Sequence, residues 1–254
     1  MYEVLKGRRL LVIGGSSGIG LAVAQQAAEA GASVTIASRS RSKLDAALGG
    51  LAPGASAIQI DTADYLAIES FFAGEAAWDH VVVSAAQTTS GPLRKSSLAD
   101  ARVTMESKFW GAYHVARAVK VRDGGSLCFI SGFRSVRPSA NTVLQGAVNA
   151  ALEALTRGLA LEMAPVRVNA VSPGLVATPM WSGMAEAERE KMFAGAAERL
   201  PLRRIGDASN IANAVLFLAC SPFSTGSTVV VAVGPPLQHD LAFAQGSWID
   251  HFCR

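Results

Sequence analysis

The stretch that decides the fold is Leu10-Leu-Val-Ile13, which runs straight into Gly14-Gly-Ser-Ser-Gly18-Ile-Gly20 and on into Leu21–Ala30. Four uninterrupted apolar residues read as a strand covered on both faces, and the Ala-rich segment that follows reads as a helix. The glycines between them permit a tight turn. They also let a pyrophosphate rest on backbone N–H groups at the helix N-terminus and let helix pack closely on strand. A Gly-rich match alone is weak, because glycines also make purely structural turns; the strand–turn–helix context gives it weight. Gly14, Ser16, Ser17, Gly18, Ile19 and Gly20 are therefore candidate cofactor-binding residues.

Outward from this unit, short β-branched runs alternate with Ala-rich helical stretches. Strands are predicted at Arg9–Ile13, Ser33–Ala37, Ala57–Ile60, His80–Ser84, Gly125–Ile130, Arg167–Val171 and Thr228–Val233. Helices are predicted at Gly18–Ala30, Arg41–Leu48, Asp64–Ala73, Leu98–Val121, Ala140–Ala164 and Asp207–Cys220. Alternation of this kind gives a parallel sheet with helices on both faces. The expected fold class is α/β: one doubly wound Rossmann-type domain over residues 1–254, built on a seven-stranded parallel sheet. The segment 181–200 suits a mobile substrate lid and an ordinary surface helix equally well. Residues 235–254 read as a C-terminal tail.

Composition narrows the function classes. Half of the 254 residues are hydrophobic and 17% are charged, which is the balance of a folded domain. A dispersed net charge of +3 gives no footprint for nucleic acid. The longest apolar runs are too short to cross a bilayer, and the N-terminus has no signal-peptide pattern. Cys128, Cys220 and Cys253 have no metal-like spacing, and the first two read as buried small hydrophobes. The expected location is cytoplasmic, with no membrane partner and no metal.

The second strand ends Ile36-Ala-Ser-Arg39-Ser, without the carboxylate that would grip a ribose 2′-hydroxyl. Ser38 and Arg39 suit a 2′-phosphate instead, which favours NADP(H) over NAD(H). Arg39 as a merely solvated loop residue is the alternative.

The Gly-rich turn, the segment Ala147–Glu162 (AVNAALEALTRGLALE) and the turn Val171-Ser-Pro173-Gly174 together resemble the short-chain dehydrogenase/reductase family, over about Gly7 to Val233. The resemblance implies an oxidoreductase acting on a small carbonyl or alcohol, and a homodimer or homotetramer paired through its long helices. It places Asp61 near the adenine, Ser84, Ala85 and Ala86 along the cofactor, and Pro173, Gly174, Val176 and Thr178 by the nicotinamide and phosphates. Three positions depart from the pattern: Ile13 for the frequent Thr, Gln87 for a Gly, and Ala232-Val-Gly234-Pro-Pro for Asp-Gly-Gly.

The larger departure is catalytic. The family uses an Asn–Ser–Tyr–Lys set, in which Tyr protonates the developing alkoxide. Here the Tyr position is Gln145, the Lys position Asn149, the Ser position Gly132 and the Asn position Lys108. Gln145 and Asn149 are four apart and share a helix face. Lys108 and Asn149 read as an exchange of the family's Asn and Lys, although Lys108 equally suits a solvated helix position. Ser131 is the adjacent hydroxyl, but on a strand end it should point to the opposite side. Lys108, Ser131, Gln145 and Asn149 are the candidate catalytic residues. Tyr2 and Tyr65 are remote, and Tyr113 lies about 140° around the helix from Lys108. Arg134 and Arg137, after the fifth strand, suit a substrate carboxylate or phosphate, or an ordinary surface loop. His239 and His251 belong to the tail and are further proton sources to weigh.

A positioned general acid contributes roughly 10² to 10⁴ in rate, whereas proximity and orientation contribute on the order of 7–11 kcal/mol. Losing the acid therefore need not abolish hydride transfer. The leading expectation is an NADP(H)-dependent oxidoreductase with an altered active site. A cofactor-binding protein without turnover (sensor or inactive oligomer partner) and a lyase or isomerase on the same scaffold remain open.

Overall fold

The computed structural model describes residues 3–232. Seven strands form one parallel sheet: β1 (Arg9–Ile13), β2 (Ser33–Ser38), β3 (Ser56–Gln59), β4 (Trp78–Val83), β5 (Val121–Ile130), β6 (Arg167–Pro173) and β9 (Thr228–Val231), in the order β3-β2-β1-β4-β5-β6-β9. The pair β7 (Val176–Ala177) and β8 (Gly206–Asp207) forms a separate small sheet. The helices are α1 (Gly18–Glu29), α2 (Arg41–Leu48), α3 (Tyr65–Gly74), α4 (Leu98–Thr104), α5 (Gly111–Ala118), α6 (Val143–Glu162), α7 (Glu186–Ala197) and α8 (Ala208–Cys220).

The alternation within β1 shows why the sheet is covered on both sides. Leu10 and Val12 pack with Val23, Ala24 and Ala27 of α1 and with Val215 and Leu216 of α8. Leu11 and Ile13 face the other way, toward Ile68 and Phe72 of α3, Val115 of α5 and Leu152 of α6. β1 pairs in parallel with both β2 and β4, so the strand order reverses on either side of it. Ligands of open α/β sheets bind at the carboxyl ends of the strands beside such a switch point.

One sequence expectation changes. The helix expected over Leu98–Val121 is broken: a π-turn spans Met105–Trp110, and helical backbone ends at Ala118. Val119 is extended, and the Lys120 carbonyl and Val121 are drawn into pairing with Trp78, so β5 begins at Val121. Pairing with the neighbouring strand outweighs local helical pattern there. The segment 181–200 holds α7, which buries none of its residues; at the start of the segment the Trp181 indole N–H donates to the Val176 carbonyl at 3.0 Å. Val233, the tail 235–254, Tyr2, His239, His251 and Cys253 lie outside the described residues.

Candidate active site

At the switch point the Gly-rich turn is held by its own backbone. Gly14 has φ +86° and lies against Ala85 at the end of β4, so a Cβ there would overlap the Ala85 amide. At Gly20 a Cβ would run into the Gly14 carbonyl, which is the close approach of α1 to β1 that this turn requires. α1 starts at Gly18, and the Ser17 hydroxyl does not cap it. By contrast α2, α3 and α4 are capped by Ser40, Asp64 and Ser97. The first-turn N–H groups of α1, Gly18, Ile19 and Gly20 among them, have no side-chain cap and are available to an anionic ligand. Thr178 faces Gly18 with its Cβ and Cγ2, and its Oγ1 is buried without a partner among the described residues. An uncapped helix start opposite an orphaned hydroxyl fits a pyrophosphate.

The remaining expected cofactor residues line the same carboxyl edge. Ser38 ends β2, and the exposed Arg39 that follows donates from Nη2 to Gln87 Oε1 at 2.6 Å. Gln87 is fixed in turn by Ser107: its N–H donates to Ser107 Oγ at 2.9 Å, and that hydroxyl donates to the Gln87 carbonyl at 2.7 Å. This link from β2 to the loop after β4 was not legible in the sequence, because it joins residues 48 apart. Asp61 accepts from Ala63 N–H at 3.0 Å in a local turn. The Ser84 N–H donates to the Ile13 carbonyl at 2.8 Å, which sets Ala85 and Ala86 beside the Gly-rich turn. Pro173 closes β6, Gly174 donates to Val231, and Val176 is buried in β7.

The candidate catalytic residues gather where β5 ends. Lys108 projects from the π-turn and donates from Nζ to the Ser131 carbonyl at 2.8 Å. It is half-buried, and burial pushes its pKa down to about 8, against the opposing pull of the Glu153 carboxylate. Lys108 is therefore not a solvated helix lysine. Asn149 is buried on α6 with its Nδ2 packed against Gly132, where an added Cβ would stand only 2.7 Å away. Its Oδ1 is buried without a partner among the described residues. Gln145, on the first turn of α6, donates from Nε2 to Ser90 Oγ at 3.0 Å, the Thr89 carbonyl at 3.3 Å and Thr88 Oγ1 at 3.4 Å. Its amide is thus engaged by the loop after β4.

Ser131 requires a correction as a catalytic hydroxyl. Its Oγ is buried and donates to Glu153 Oε1 at 2.8 Å, the direction that strand alternation dictates. Ser135 Oγ donates to the same oxygen at 2.7 Å. Ser131 serves the cluster through its carbonyl, which holds Lys108. Sequence reading missed Glu153 and Ser135; an acidic residue on an otherwise apolar helix face was the available signal. Tyr65 and Tyr113 stand in an exposed aromatic cluster with Trp110 and His114 rather than with Lys108, Gln145 and Asn149. Cys128 is buried in β5 with its thiol pushed up to about 12, which leaves it inert.

A family model described as enoyl-(acyl carrier protein) reductase matches residues 14–235, spanning the Gly-rich turn, the catalytic cluster and β9. The chain belongs to the short-chain dehydrogenase/reductase family. Among its short-chain relatives, the L-xylulose reductase of Bos taurus is 32% identical over 239 residues, covering 91% of this chain and 97% of that protein. The crystal structure of a small-chain dehydrogenase in complex with NADPH shares 32% identity at a TM-score of 0.77, covering 91% of this chain and 100% of that one. MalC, a reductase/Diels–Alderase from Malbranchea aurantiaca, shares 28% identity at a TM-score of 0.83, covering 92% and 98%. No helix among the described residues is long and apolar enough to cross a membrane.

Proposed function

We propose that this protein is an NADP(H)-dependent oxidoreductase of small carbonyl or alcohol substrates, working with an altered catalytic set. The observation that carries the reading is the cradle at the switch point: an uncapped α1 facing the orphaned Thr178 hydroxyl, with a guanidinium rather than a carboxylate after β2. When bound, the cofactor supplies or accepts the hydride. The α1 amides and Thr178 would hold its pyrophosphate. Arg39, steadied by Gln87, would pair with the 2′-phosphate, and Asn149 Oδ1, without a partner among the described residues, would accept from a ribose hydroxyl.

Lys108 takes the part of the acid in this reading. One of its three N–H donors is committed to Ser131, and a pKa of about 8 lets it give a proton to a developing alkoxide near neutral pH. Its charge also stabilises that alkoxide in a partly desolvated cleft. Gln145 positions the loop at Thr88–Ser90 rather than reacting. The segment 181–200 acts as the substrate lid, consistent with the shallow seating of α7. The chain assembles as a homodimer or homotetramer through its long helices, where Trp110 and Tyr113 are exposed.

Titration with NADPH and with NADH, followed by nicotinamide fluorescence, tests the cofactor half. Tight NADPH binding and weak NADH binding are expected. Arg39→Ala should weaken NADPH binding about ten-fold or more and leave NADH unchanged, as loss of a charge-assisted pair requires. Equal affinity for both cofactors in the unsubstituted protein would remove the role of Arg39. A second reading, non-redox chemistry on the bound-cofactor scaffold, draws support from the engaged Gln145 amide and from the dual name of the Malbranchea aurantiaca relative. Product formation without any change in NADPH absorbance separates the two.

A further inference from the structure

Arg134 and Arg137 lie on the loop that leaves Gly132 and leads to α6. The loop is closely fitted: the Arg134 carbonyl sits where a Cβ on Gly146 would come within 2.8 Å, and the Val136 and Arg137 N–H groups both donate to the Phe133 carbonyl. This seats the loop that carries the pair against the first turn of α6, next to Gln145. Both arginines are half-buried, and the Arg134 guanidinium lies 4.5 Å from the centre of the Phe133 ring.

Every other arginine withdrawn from solvent among the described residues has an oxygen partner. Arg9 pairs with Glu75, Arg189 with Glu186, and Arg167 donates to the carbonyls of Leu218 and Ala219. Arg134 and Arg137 alone have no ion pair or side-chain hydrogen bond among those residues. Burial lowers the Arg134 pKa, and the neighbouring charge of Arg137 lowers it further. Two like charges drawn out of water beside each other are costly unless an anion joins them. The planar forks of guanidinium match carboxylate and phosphate oxygens in particular.

We infer that Arg134 and Arg137 bind an oxyanion, carboxylate or phosphate, carried by the substrate, so that the cleft selects acidic carbonyl or alcohol compounds over neutral ones. The substrate class rests on the oxidoreductase reading; the anion site itself does not. Two matched pairs of probes test it on the NADPH-loaded protein: 4-oxopentanoate against its methyl ester, and hydroxyacetone phosphate against hydroxyacetone, with binding read from fluorescence.

At least one charged probe should bind about ten-fold more tightly than its neutral counterpart, and which one does so identifies the anion. Arg134→Gln and Arg137→Gln should each bring that ratio close to one while leaving NADPH affinity unchanged. A ratio near one in the unsubstituted protein, or a ratio that both variants leave intact, overturns the proposal. If either variant melts early, the ratio in the unsubstituted protein decides. NADPH affinity is measured first and separately. If the cofactor does not bind, the oxidoreductase reading fails, and the same titrations on the cofactor-free chain still decide the anion site.

Discussion

The β1–α1–β2 cradle and the cluster where β5 meets the π-turn and α6 lie on one edge of the sheet, yet they answer to different rules. In the cradle the expected binding groups are mostly main chain: amides at an uncapped helix start, and glycines whose place is set by the Ala85 and Gly14 backbone. Such a site needs a small set of glycines and tolerates much else. In the cluster, function depends on side chains. The four positions that the resemblance marks as departures meet there, and their neighbourhoods fit one another. Gly132 leaves the space that Asn149 fills, and Lys108 reaches the Ser131 carbonyl from a neighbouring helical segment. Main-chain geometry sets the first region, and side-chain packing sets the second.

The largest expected effect breaks the cradle. Gly20→Val puts a branched side chain against the Gly14 carbonyl, where no side-chain rearrangement can make room. NADPH binding should fall by more than about 100-fold, with a lowered melting temperature, because the turn must open to admit the group. Retained affinity would show that the cradle does not depend on this approach.

Next in size is the cluster. Lys108→Met should lower the rate of carbonyl reduction by about 10² to 10³, the range for a positioned acid, and change NADPH affinity by less than about three-fold. The sign of the pH dependence follows from the lowered pKa. Lys108 is protonated below about pH 8 and neutral above it, so reduction, which consumes a proton, should slow as pH rises through 8. That limb should vanish in Lys108→Met. A profile that keeps the limb in the variant would move the acid elsewhere.

The smallest effect tests whether the exchanged residues are coupled. Gly132→Ser brings a Cβ to 2.7 Å from Asn149 Nδ2, a flexible group that must shift. A destabilisation of about 1–2 kcal/mol is expected, or roughly 2–8 °C in melting temperature for a domain of this size. Adding Asn149→Ala should recover part of the loss, with an interaction energy of at least about 0.5 kcal/mol. Strict additivity would mean that the two positions changed independently.

Most of the sheet was legible because parallel strands buried on both faces are continuous apolar runs, and β1 was read to the residue. The cradle was legible for a related reason: its glycines, its strand and its helix are contiguous in the chain. The π-turn at Met105–Trp110 was not, since its local pattern is helical and the extra residue per turn appears only in the backbone. The roles of Glu153 and Gln87 were hidden as well. Glu153 is revealed by hydroxyls from the end of β5 and the following turn, and Gln87 by a guanidinium from the end of β2.

The sequence by itself determined the fold class and the place of the Gly-rich turn, and it marked the four positions that the resemblance reads as departures. These follow from periodicity and from short motifs whose meaning is local. Only the tertiary structure decided that Lys108 is drawn onto the Ser131 carbonyl, that the Ser131 hydroxyl is taken up by Glu153, and that Arg134 and Arg137 lack a described partner. The physical reason is that a side chain's charge state and hydrogen bonds are set by what surrounds it. Those surroundings come from elements far apart in the chain.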